Sequence, residues 1–190
     1  MKKLTISEMN RISVAEYHAA DKLPLVVVLD NVRSQHNIGA VFRTADAFRL
    51  ERVCLCGISC CPPNREIHKT ALGAEESVSW TYCEDTLQAL HDLKEQGYKV
   101  YAVEQAEGSM TLVEAVQMLE KQVAEHTQSP LAIVLGHEVF GVRQEVVDAA
   151  DGCIEIPQYG TKHSLNVSVT AGIVIYSLAQ PLLKILNNKK

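Results

Sequence analysis

The stretch Ile156-Pro157-Gln158-Tyr159-Gly160-Thr161-Lys162-His163-Ser164-Leu165-Asn166-Val167-Ser168-Val169-Thr170-Ala171-Gly172-Ile173 reads as the end of a buried strand, a glycine loop, and an apolar helix entered through polar residues. Pro157 and Gly160 suit a turn, and Ser164 and Asn166 flank Leu165 at the helix entrance, where Ser and Asn supply caps. Ser164 is the expected cap of a buried helix over Val167–Leu178, and Pro181 should kink or end that helix before Leu182–Leu186. Working back from Cys153–Ile156, short apolar runs recur at Leu131–Leu135, Lys99–Val103, Val78–Tyr82, Val53–Ile58 and Leu25–Leu29. Several are near-continuous Val, Ile and Leu, the pattern of strands covered on both faces. Helical stripes lie between them: Ile38, Val41, Phe42, Ala45 and Phe48 form one, and Leu87, Leu90 and Leu93, ended by Gly97, form another. This alternation predicts an α/β fold, an open, mostly parallel, six-stranded sheet with helices on both faces. Residues 1–23 read as an N-terminal helix or arm, 24–186 as the main domain and 187–190 as a tail.

At 190 residues the chain is long enough for one domain with a real core, and 47% apolar residues fit an ordinary globular protein. No unbroken apolar run approaches the roughly 20 residues needed to cross a bilayer, and Met1–Glu8 lacks the apolar core of a signal peptide. A cytoplasmic protein with no membrane contact is expected. Cys54-Leu55-Cys56 and Cys60-Cys61 crowd together, but no second CxxC or His pair completes a tetrahedral set. They read as core residues, and no metal is expected. The net charge of −5 disfavours nucleic acid as a partner. The charge is unevenly spread, however: residues 84–125 hold nine acidic and three basic residues, whereas 30–69 hold six basic and four acidic. An acidic back and a mildly basic front would suit RNA.

The usual phosphate fingerprints are missing, with no GxGxxG after the first strand and no Walker-type loop. Ligands of open α/β sheets still bind at the carboxyl ends of the strands, and three polar segments follow strands there. In Asn37-Ile38-Gly39-Ala40-Val41-Phe42-Arg43-Thr44-Ala45, Asn37 is a good N-cap and Gly39 permits close backbone approach. Arg43 lies one turn later on the face of Gly39, opposite the apolar stripe. On its residues alone, this segment reads as a capped amphipathic helix with a solvated arginine. In Val134-Leu135-Gly136-His137-Glu138-Val139-Phe140-Gly141 a strand ends, Gly136 lets the backbone close on a ligand and Gly141 allows a second turn. Glu138, the loop's sole carboxylate, also suits a position near a helix N-terminus.

In wording and in order, residues 37–45, 134–141 and 156–173 resemble the three signatures of the SpoU (TrmH-type) branch of the SPOUT RNA methyltransferases. The resemblance spans roughly residues 24–180 and implies S-adenosylmethionine-dependent methylation of a ribose 2′-hydroxyl in RNA, with tRNA somewhat favoured over rRNA. It also implies a C-terminal trefoil knot enclosing the cofactor (the α/β knot) and a homodimer with the active site near the subunit interface. By the same resemblance Arg43 is the leading catalytic residue, supported by Asn37. Glu138 organises the active-site loops, and Ser164 and Asn166 position the substrate or the reacting centre. Gly136, Ile156 and Leu165 border the cofactor. Lys69-Thr70-Ala71-Leu72-Gly73-Ala74 resembles the family's GA-containing loop, and Arg33, Arg65, Lys69 and Lys162 are candidate phosphate contacts. Ile173, Ile175, Tyr176 and Leu178 are candidates for the subunit contact, while His137 matches no catalytic position. A guanidinium, with pKa above about 12, is a poor proton acceptor. Holding phosphate and stabilising alkoxide charge is the easier role for Arg43. Three rival readings are a non-catalytic RNA-binding or assembly module on the same fold, a SPOUT base methyltransferase, and a nicotinamide-dependent oxidoreductase.

Overall fold

The computed structural model of the chain describes residues 1–5 and 7–187. The expected tail at 187–190 therefore lies outside the described residues, apart from the backbone of Asn187. After a 3-10 turn at Ser7–Met9 the elements are α1 (Val14–Ala19), β1 (Leu23–Asp30), α2 (Gln35–Ala47), β2 (Leu50–Cys56), α3 (Arg65–Ala71), α4 (Ala74–Ser77), β3 (Trp80–Cys83), α5 (Thr86–Glu95) and β4 (Lys99–Val103). There follow β5 (Met110–Thr111), α6 (Leu112–Ala124), β6 (Leu131–Leu135), α7 (Gln144–Ala149), β7 (Gly152–Glu155) and α8 (Val167–Asn187).

The strands form one parallel sheet in the order β3-β2-β1-β6-β4-β7-β5. It has seven strands rather than the expected six. The extra one is β5, which pairs Met110 with Ile154 and Thr111 with Glu155. Two residues are too few to show a strand period, and Thr111 also closes a capping box with Glu114 at the start of α6.

Alternate residues of β1 feed two separate cores. Leu25, Val27 and Leu29 point toward α2, α3, α6 and α8, meeting Ile38, Phe42, Ile67, Leu119, Val174 and Ile175. Val26 and Val28 point the other way, toward Leu90 and Leu93 of α5 and Val146 of α7. Both faces being covered is why the sequence shows an unbroken apolar run rather than an alternation. Cys54 and Cys56 are buried in β2, as expected of small core residues. The arm is tied down by α1, which opens with a Ser13–Glu16 capping box and buries Tyr17; Leu23, placed in the arm by the sequence, is already strand.

Two expectations about helices are corrected. The N-cap of α2 is Ser34, whose hydroxyl accepts from the Asn37 amide, so Asn37 sits inside the first turn with its side chain free for other work. Pro181 does not end α8, which runs on to Asn187. The lost hydrogen bond is outweighed because Leu178, Ala179, Pro181, Leu182 and Leu186 are all buried along one side of the helix. By length and composition α8 is also long and apolar enough to cross a membrane, which the sequence reading did not anticipate. Here Ala171, Val174, Ile175, Leu178 and Leu182 pack into the core of the sheet.

Candidate active site

Three loops meet at the carboxyl ends of β1, β4, β6 and β7, where an open α/β sheet holds its ligands. The second signature loop is the tightest. Its residues His137 and Gly141 exchange backbone hydrogen bonds, at 3.0 Å and 2.8 Å. A side chain on Gly136 would lie 2.2 Å from the Gly141 and Val142 backbone, so here glycine lets the loop close on itself. Gly141 has φ +67 and faces the Glu104 carboxylate, at 2.1 Å from where a Cβ would stand. The His137 ring accepts from the Val139 amide at 3.0 Å and lies against Phe140, which gives it a part in shaping the loop.

Glu138 reaches out of this loop to the start of α2. Its carboxylate accepts from the Arg33 amide (3.0 Å), the Ser34 amide (2.8 Å) and the Asn37 side chain (3.0 Å). Burial pushes the Glu138 carboxyl up, but the hydrogen bonds from Asn37, Ser34 and Arg33 outweigh it and hold the group below the usual glutamate value. Because the NH2 of Asn37 faces a carboxylate, its carbonyl oxygen must point away, and there it accepts from the Asn166 side chain at 3.2 Å. The Asn166 carbonyl oxygen in turn accepts from the Ser168 and Val169 amides, at 2.9 Å and 3.3 Å. Asn166, rather than Ser164, therefore caps α8. One chain of side chains, Glu138–Asn37–Asn166, thus joins all three signatures.

Beside this chain lies a cleft of about 370 Å³, within the roughly 300–1,000 Å³ range of small-ligand pockets. Gly136, Ile156 and Leu165, which the resemblance assigns to the cofactor, and Ser164, which it assigns to positioning, all lie in its lining. So do Glu104 and Gln105, which the sequence reading passed over. Glu104 accepts from the Gln105 amide (2.9 Å) and the Val142 amide (3.0 Å), and Gln105 donates to the His163 carbonyl at 2.7 Å. The end of β4 therefore clasps both of the later signature loops. A charged residue immediately after an apolar strand, at the end where ligands gather, was the available signal. The far side of the second loop is anchored by fully buried Asp30, which accepts from Thr86 (2.6 Å) and from the Arg143 side chain (3.3 Å).

The basic candidates are not brought into the cleft. Arg43 is exposed on α2 and, among the described residues, makes no hydrogen bond or ion pair. Gly39, expected on its face, is instead buried against α3, where a Cβ would lie 2.3 Å from the Ile67 carbonyl oxygen. Arg33, whose amide meets Glu138, and Lys162, next to His163 of the cleft wall, are exposed; Arg65 is exposed at the start of α3, away from the cleft lining, and Lys69 is tied to Glu66 at 2.6 Å.

Fold and site together define an α/β domain with a cleft of small-ligand size at the carboxyl ends of its strands. The model of the SpoU rRNA Methylase family matches residues 24–176, and the chain belongs to that family. It is 34% identical over 152 residues to a 23S rRNA (guanosine-2′-O-)-methyltransferase of Nitrosomonas europaea, covering 80% of this chain and 54% of that protein. It is 30% identical over 178 residues to the tRNA (guanosine(18)-2′-O)-methyltransferase of Thermus thermophilus, covering 94% of this chain and 86% of that one. Against the rRNA enzyme, then, the chain spans only about half the relative's length. The solved TrmH/SpoU tRNA modifying enzyme of A. aeolicus superposes with a TM-score of 0.73 at 24% identity, over 92% of this chain and 93% of that one, a likeness that speaks to the fold.

Proposed function

We propose that this protein transfers the methyl group of S-adenosylmethionine to a ribose 2′-hydroxyl of RNA. The observation that carries this reading is the Glu138–Asn37–Asn166 chain, which locks the three family signatures together beside a ligand-sized cleft. The lining suits the cofactor: Val103, Leu135, Ile156 and Leu165 offer apolar walls to an adenine, and Glu104 and Gln105 offer polar groups to its charged and hydroxylated parts. When bound, the cofactor supplies an electrophilic methyl group. The chain's own residues have to align it with the ribose oxygen, exclude water and stabilise charge, which is chiefly a task of positioning. Gly136, Ile156 and Leu165 border the cofactor. Asn37 and Glu138 hold the loops, and Ser164 stands at the cleft to orient the substrate. Arg43 is exposed and uncommitted, as suits a group that takes hold of RNA phosphate and stabilises the developing alkoxide.

The same reading extends to assembly and substrate. Val169, Ile173 and Tyr176 form an exposed apolar stripe on one face of α8, which supports a homodimer through that face. Ile175 and Leu178 are committed to the chain's own core. The cleft is lined by the loops of residues 136–142 and 156–165 together, an arrangement that supports a C-terminal trefoil knot. Arg33, Arg65, Lys69 and Lys162 are the phosphate contacts in this reading, and the cytoplasm is the site of action. Of the two sequence relatives named above, one is by name a tRNA enzyme and the other an rRNA enzyme; tRNA is the substrate in this reading, with rRNA the alternative. Nucleoside mass spectrometry of tRNA and rRNA from cells with and without the protein tests the function. A 2′-O-methylnucleoside missing without the protein, and restored by wild type but not by R43A, is the expected result. An unchanged ribose profile overturns it.

A further inference from the structure

The lining of the cleft contains two carboxylates and neither lysine nor arginine. One of the two is already engaged: Glu138 turns its oxygens to the Arg33 and Ser34 amides and to Asn37, at the start of α2. Glu104 is different. Its carboxylate is held from two sides, by the Gln105 amide on one oxygen and the Val142 amide on the other, and both donors are neutral. Glycine at position 141 leaves the space that the carboxylate fills, since a Cβ there would stand 2.1 Å from its oxygen. The outcome is a fixed negative charge in the wall of the cleft, with no cation within ion-pair distance among the described residues.

Resting on the methyl-transfer reading, we infer that Glu104 is the residue by which this cleft tells cofactor from product. In the transfer, the bond between sulfur and methyl carbon breaks and leaves its electron pair on sulfur. A bond from the ribose oxygen to that carbon forms, and the hydroxyl proton passes to solvent. The ligand thereby changes from a cationic sulfonium to a neutral thioether, while its ammonium, carboxylate, ribose and adenine stay the same. An anion fixed in the wall attracts the first more than the second, because a charge pair outside bulk water is only partly screened. Pinning by two amides means that the charge need not reorganise as the ligand changes, so the difference appears in affinity and favours product release.

Calorimetric titration of the full-length protein with S-adenosylmethionine, S-adenosylhomocysteine and sinefungin, whose amine replaces the sulfonium with another cation, tests this. Wild type should bind the two cationic ligands more tightly than the thioether. E104Q should weaken both cationic ligands relative to the thioether by about tenfold, or about 1.4 kcal/mol. The variant also loses one of the two clasping hydrogen bonds, but that loss is common to all three ligands and cancels in the ratio. E104D, which keeps the charge, should retain the preference even if all affinities fall. An unchanged ratio in E104Q overturns the inference, as does loss of all three ligands together, since Glu104 would then act only as a clasp of the loops. If wild type binds none of the three, it is the methyl-transfer reading itself that fails.

Discussion

Replacing Glu138 with glutamine removes one charge and little volume from the point where the three signatures meet. The wild-type carboxylate accepts three hydrogen bonds, two from backbone amides and one from Asn37. Glutamine has a single carbonyl oxygen, so at least one donor must then face an NH2 group. A hydrogen bond to a charged group contributes about 1.5–3 kcal/mol, and partial exposure of Glu138 screens its charge, so E138Q should cost about 2 kcal/mol. In a domain of this size that lowers the melting temperature by about 4–8 °C. The dependence on pH is a sharper test. Burial raises the Glu138 carboxyl, the hydrogen bonds from Asn37, Ser34 and Arg33 lower it further than burial raises it, and the folded value lies below the unfolded one. A group depressed in this way adds stability that is present above the unfolded pKa of about 4.3 and is lost as pH falls through the folded pKa. Urea unfolding of both proteins, stepped from about pH 7 to about pH 3, should show their stability gap narrowing at the acid end. A gap that stays constant over that range, or none at neutral pH, refutes the assignment of Glu138 as the charged hub.

Three further outcomes are expected. R43A should lower the rate of methyl transfer by about 100-fold or more, the scale of losing one charge-stabilising group, while calorimetry shows cofactor affinity little changed; equal loss of both would make Arg43 a cofactor-binding or structural residue. G39A should destabilise the fold by at least about 1–3 kcal/mol in urea unfolding, because the new methyl would lie 2.1 Å from the Thr70 hydroxyl and 2.3 Å from the Ile67 carbonyl oxygen; wild-type stability would mean that α2 and α3 separate freely. The double variant I173K/Y176K should convert a dimer to a monomer in light scattering and lose activity with it, whereas a wild-type protein that is monomeric at assay concentration refutes the α8 contact.

Much of the fold was legible because it rests on burial. β1 and β6 read as strands from their unbroken Val and Leu, since both faces of the sheet are covered. The stripe from Ile38 to Ala45 read as a helix because its apolar residues all turn inward. What escaped was set by tertiary context. Met110–Thr111 becomes a strand only because β7 offers it an edge. Pro181 stays inside α8 because the buried residues on either side of it hold the helix against the core. In the site, the resemblance to the family's signatures marked Asn37, Glu138 and Asn166, but not their bonds to one another, which link positions far apart in sequence. Ser34 took the cap expected of Asn37, and Asn166 the cap expected of Ser164. In each case any small polar residue nearby would do, and only backbone geometry selects among them. Glu104 and Gln105 belong to none of the signatures; the position of Glu104 directly after an apolar strand hinted at a role, but its bonds to the two loops show only in the fold.

The bonds that assemble the site also fix when it exists. Glu138 meets Ser34 across 104 positions and Asn37 across 101, and Asn166 meets Asn37 across 129. Contacts so distant in sequence close late in folding, after the entropy of bringing the ends together has been met. During synthesis β1 and α2 therefore leave the ribosome with the Asn37 amide lacking its partners, and it waits for nearly the whole of the remaining chain. In the finished protein the order reverses: if the first turn of α8 frays, Asn166 lets go and the cleft loses one wall while the sheet stands. Loss of these contacts would remove the site without unfolding the sheet, so ligand affinity should report on the completeness of folding.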